Sequence, residues 1–102
     1  MKKPEGFRKT EAYRPRTEKE KLLIKSLLQA KNDEEMGNLL RDLLTSAEME
    51  EFANRIEIAR LLLKDESYIS IAKRTKVSTT TVTRVAHWLY RGCGGYWKVL
   101  KK

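Results

Sequence analysis

The chain has one cysteine, one histidine, two prolines and no long apolar run. Each shortage excludes something. A lone Cys93 cannot form an internal disulfide and fits a reducing, cytoplasmic setting. Beside Gly92 and Gly94 it reads as a small filler. The longest aliphatic runs, Leu22-Leu23-Ile24 and Leu61-Leu62-Leu63, fall far short of the roughly 20 residues that span a bilayer. The opening MKKPEGFRKTEAYRPR has no apolar segment of the kind a signal peptide needs. With His87 alone there is no zinc-ligand set and no cluster of base, acid and nucleophile. No glycine-rich phosphate loop occurs either, since Gly92-Cys93-Gly94-Gly95 reads as a helix stop. The sequence therefore predicts no metal, no cofactor and no enzyme. No stretch alternates with period two for long enough to be a strand, so the expected class is all-α.

Acidic residues are missing from the last third. Residues 1–66 hold 14 Lys and Arg against 14 Asp and Glu, whereas residues 67–102 hold eight basic residues and no acid. The net charge of +8 therefore belongs to the carboxyl-terminal part. A one-sided basic surface is the footprint expected for a polyanion.

What is present is a series of helix starts. Residues 1–16 carry six basic side chains against Glu5 and Glu11 and read as a flexible basic arm. A single domain is expected over 17–102. Thr17 with Glu20, Asn32 with Glu35 and Thr45 with Glu48 have the spacing of capping boxes. They open helices carrying Leu22, Leu23, Leu27 and Leu28; then Met36, Leu39, Leu40 and Leu43; then Met49, Phe52, Ala53, Ile56, Ala59, Leu62 and Leu63. These aliphatic stripes are broader than one neighbour requires, which places the helices centrally or against another chain. A homodimer is the expectation.

Residues 67–91 read as a helix-turn-helix. Ser67 caps a helix whose apolar residues are Ile69, Ile71 and Ala72, Thr75-Lys76-Val77 makes the corner, and Ser78 caps a second helix that Gly92 stops. Val82, Val85, Ala86 and Leu89 have the spacing of a buried stripe. Thr80, Thr83, Arg84, His87 and Arg91 then face outward, with Ser78 and Thr79 at the amino end. Hydroxyl side chains followed by arginine suit a helix that enters a DNA major groove. Lys76 stands where such turns often carry glycine, so a positive φ there would strain the backbone.

From Leu43 to Leu100 the chain resembles the Trp-repressor superfamily, most closely its YerC/YecD-type branch. The similarity rests on Leu-Leu-Thr before the third helix, Asn-Arg-Ile ahead of Ala-Arg-Leu-Leu, Ser-Thr-Thr-Thr-Val-Thr-Arg-Val, and Gly-Gly-Tyr near the end. The resemblance implies an intertwined all-α homodimer, a Trp-repressor-like helical bundle, that binds double-stranded DNA as a repressor. By match, Ser67, Tyr68, Thr79, Thr80, Thr81 and Thr83 face DNA. Lys73, Arg74 and Lys76 attract phosphate, and Ser78, Arg84 and His87 share that surface. The two arginines that flank the tryptophan corepressor in the family fall on Arg55 and Arg84. The family's glycine beside the indole is Val85 here, and the serine that meets the ligand's amino group is Trp88. Both substitutions fill space, so the expectation is a pocket closed by Val85 or Trp88, with tryptophan not required. Two alternatives stand beside it: a changed effector gripped by Arg55 and Arg84, and an adaptor that reuses the motif to dock proteins.

Overall fold

The computed structural model describes residues 11–101, and among them every regular element is a helix. Six are formed: α1 (Glu18–Gln29), α2 (Asp33–Leu43), α3 (Ser46–Leu63), α4 (Tyr68–Thr75), α5 (Thr79–Arg91) and α6 (Gly95–Leu100). None is long and apolar enough to cross a membrane. The chain divides into two compact units, residues 13–52 and a second one from Ala53 onward, with α3 running through the division.

In the first unit the helices are set by their ends. Thr17 Oγ1 accepts from the Glu20 amide at 3.1 Å, and Asn32 Oδ1 from the Glu35 amide at 2.9 Å. Thr45 and Glu48 form the full reciprocal box: the Glu48 amide donates to Thr45 Oγ1 at 3.1 Å, and the Thr45 amide to the Glu48 carboxylate at 3.0 Å. Each pair satisfies amide donors that the first helical turn leaves open. Most of the expected arm, residues 1–10, lies outside the described residues; Tyr13 and the Arg16 amide both donate to the Glu20 carboxylate. What this unit lacks is a core. No residue of α1 or α2 is buried, and Leu22 and Leu28 are 65% and 76% exposed.

The second unit has the core. Ile58, Ala59, Leu61 and Leu62 from α3 meet Ile71 and Ala72 from α4 and Val82, Val85, Ala86 and Leu89 from α5. Leu63, Val77, Tyr90, Tyr96 and Leu100 pack around them, and Trp97 of α6 is buried. Two sequence expectations need correction. Ile69 does not join the buried face of α4 but is 65% exposed. On α3 the buried residues include Ile58 and Leu61, while Phe52 and Ile56 of the expected stripe are exposed. The helix is apolar on two faces, and one of them is covered by the core.

Two positive-φ residues make the corners. Asp65 (φ 62) ends α3, and Lys76 (φ 59, ψ 38) ends α4. The Lys76 and Val77 amides both return to the Ala72 carbonyl, closing α4 with a left-handed cap. At the far end of α5 a Cβ on Gly92 would lie 2.4 Å from the Trp88 carbonyl oxygen, so only glycine fits there. Gly94 (φ 83) then starts α6.

Candidate nucleic-acid interface

The candidate interface centres on α5, which packs against α4 and α6. Its apolar face is fully used: Val82, Val85, Ala86 and Leu89 are buried, and each of the larger side chains contributes about 1.5–3 kcal/mol. That burial fixes the rotation of the helix about its axis. Thr79, Thr80, Thr83, Arg84, His87 and Arg91 are consequently held on the exposed side, as the spacing required.

The hydroxyls of this face are not equivalent. Ser78 Oγ accepts from the Thr81 amide at 3.1 Å and lies 3.1 Å from Thr81 Oγ1, so both belong to the cap. Thr83 Oγ1 donates back to the Thr79 carbonyl at 3.0 Å. Among the described residues no such bond engages the hydroxyls of Thr79 and Thr80, which stand exposed at the start of the helix. Ser67 caps α4 through the Ser70 amide at 3.1 Å, and Tyr68 is partly exposed beside it.

The cations divide similarly. Lys73, Lys76 and Arg84 are exposed. Arg74 is ion-paired with Glu66, whose carboxylate also accepts from Ser70 Oγ, so this arginine is already partly engaged. Arg60 pairs with Glu57 in a bidentate arrangement and holds the Glu57 carboxyl below its ordinary range, mainly through those hydrogen bonds. The Glu66–Arg74 pair was missed by sequence reasoning. The two residues are eight apart, and only the bend between α3 and α4 brings them together.

Beside this surface lies an apolar pocket of about 410 Å³, lined by Ile56, Trp88, Gly92, Cys93, Gly95, Tyr96 and Val99. Trp88 contributes an exposed indole (62%) in edge contact with His87, ring centroids 5.1 Å apart. Val85, grouped with Trp88 on sequence grounds, is not at this wall; it is 4% exposed within the core. Arg55 and Arg84 do not line the pocket either. Arg55 lies near Tyr96, whose hydroxyl pKa is raised by burial and partly offset by that positive charge. Tyr90 and Tyr96 pack against the core and Trp97 is buried. Among the described residues no group of His, Cys, Asp and Glu is placed to hold a metal.

A capped α4, a left-handed corner and an α5 with one buried and one basic, hydroxyl-rich face define a helix-turn-helix protein. Residues 18–102 match the family model described as Trp repressor protein, and the chain belongs to that family. Over 74 residues it is 36% identical to the uncharacterized protein YerC of Bacillus subtilis, a match spanning 72% of this chain and 71% of YerC. Its fold is similar to the crystal structure of a TrpR-like protein from Eubacterium eligens. There the TM-score is 0.79 at 30% identity, covering 83% of this chain and 88% of the other.

Proposed function

We propose that the protein is a sequence-specific DNA-binding transcriptional regulator, a repressor, that reads DNA as a homodimer through α4 and α5. One observation carries this reading: α5 is locked by its buried stripe so that hydroxyls and cations project together from a part of the chain with no acid after Glu66. Hydroxyls and thymine-compatible methyls suit base edges, and the cations suit phosphates. Family membership supports the same conclusion.

The homodimer accounts for the apolar surface that the protomer leaves open. Leu22, Leu23, Ile24, Leu28, Leu43, Phe52 and Ile56 are all exposed, and large exposed apolar patches mark interaction surfaces. A second copy is the occupant that supplies matching faces, and two-fold symmetry pairs two α5 helices with two half-sites about 34 Å apart.

Tryptophan is not the corepressor in this reading. Val85 is committed to the core, and Trp88 brings the protein's own indole to the pocket wall. Calorimetric titration with tryptophan should show no micromolar binding; such binding would end the tryptophan-independent account. For DNA itself, affinity for random-sequence duplex should fall linearly on a log–log plot against salt, by about 0.9 per neutralised phosphate. Absence of binding at low salt would reject the proposal.

A further inference from the structure

The exposed face of α5 has an unusual chemical restriction. The helix, TTTVTRVAHWLYR, contains no Asn, Gln, Asp or Glu. It therefore lacks the amide side chains that read adenine in a bidentate manner and the carboxylates that accept from cytosine N4. Arg84, exposed one turn beyond Thr80, is the helix's best-placed guanine reader. The hydroxyls that remain are themselves curtailed. Those of Ser78 and Thr81 serve the cap, and Thr83 gives its proton to the Thr79 carbonyl. With Oγ1 turned back against the helix, the part of Thr83 left for a partner is its Cγ2 methyl. Thr79 and Thr80 add two more methyls on the exposed start of the helix.

We propose that α5 reads sequence mainly by methyl contact: Thr79, Thr80 and Thr83 present their Cγ2 groups to the C5-methyl of thymine, and the site they select is thymine-rich. The proposal rests on the DNA-binding reading above and specifies which base chemistry that interface recognises. Thymine is the natural base that carries an apolar group on its major-groove edge, and threonine methyl is one of the side-chain groups that fit it. The hydroxyls of Ser78, Thr81 and Thr83 are engaged within the helix, so hydrogen bonds to bases fall to Arg84, His87, Thr79 and Thr80, while methyls are offered by all three exposed threonines.

The test uses the full-length protein and a duplex that it selects from random sequence, synthesised once with thymine and once with deoxyuridine throughout. The two duplexes differ only by the C5-methyl groups. Affinity should drop about fourfold for each contacted thymine, the factor expected for leaving one methyl group unburied. The salt slope should not change, since phosphate contacts are untouched. Thr80→Val and Thr83→Val, which keep the methyls and lose the hydroxyls, should still discriminate thymine from deoxyuridine. Thr80→Ser and Thr83→Ser, which do the reverse, should discriminate less. Equal affinity of the native protein for both duplexes overturns the proposal while leaving specific DNA binding intact, and needs no variant to fold. Failure to enrich any duplex overturns both.

Discussion

At the residue scale, Lys76 and Glu66 show a conflict between local chemistry and function. Lys76 holds φ 59, where an L side chain costs about 1–2 kcal/mol, and its ammonium stands exposed near the start of α5. Glycine would relieve that strain but carries its own entropic cost of about 0.5–1 kcal/mol. Lys76→Gly should therefore raise stability by about 0.5–1 kcal/mol, measured by urea denaturation at fixed protein concentration. It should also weaken binding to random DNA, because a cation is lost. Glu66 works in the opposite direction, since its carboxylate engages Arg74. Glu66→Gln should free that guanidinium and strengthen random-sequence binding several-fold, with a salt slope steeper by about 0.9 per protomer. An unchanged slope in fluorescence anisotropy would mean that Arg74 does not reach phosphate. The strain at Lys76 was legible, because lysine occupies a turn position where glycine is common and the positive φ expected there is observed; the Glu66–Arg74 pair was not, because it depends on the bend between two helices.

At the scale of elements, what was legible was what is local. The Thr17–Glu20, Asn32–Glu35 and Thr45–Glu48 spacings each mark a real helix start, because a cap satisfies amides only three residues away. The stripe of Val82, Val85, Ala86 and Leu89 is buried as its period requires. Ile69 and the second face of α3 were not legible, because periodicity identifies an apolar face but not whether a neighbour covers it. The same gap explains why Val85 and Trp88, both assigned to one pocket, separate into core and pocket wall. Two predictions belong here. Leu89→Ala, which empties a buried site between α5 and the rest of the core, should cost about 2–5 kcal/mol in denaturant unfolding. The helix-end carboxylates give a pH dependence whose sign is fixed. Glu20 is held below its ordinary value of 4.5 chiefly by the Tyr13 hydrogen bond, and Glu48 by the Thr45 amide. Glu57 is lowered first by its hydrogen bond to Arg60. Groups with depressed pKa in the folded state stabilise it above their unfolded value, and that stability is lost as pH falls through the folded one. The urea midpoint should fall modestly as pH drops below about 4.5, and Glu48→Gln should flatten part of that fall. A midpoint that rises on acidification would contradict the assignment.

At the scale of the whole molecule, the two units present different problems. The unit from Ala53 onward buries a contiguous core, whereas no residue of 13–52 is fully buried and Leu22, Leu23, Leu28 and Leu43 are exposed. A second copy that covers those leucines makes folding and association one process. The melting temperature should then rise with protein concentration, and Leu28→Glu should lower both the melting temperature and the fraction of dimer in sedimentation equilibrium. In the proposed dimer the same symmetry would decide how DNA is read. Two α5 helices related by a two-fold axis require two inverted half-sites with centres about one helical turn apart. Selection of bound sequences from a random duplex library, with purified protein and no added tryptophan, tests this most directly. The account predicts an inverted-repeat consensus with half-site centres about 10 base pairs apart; a single unrepeated motif, or no enrichment at all, would contradict it.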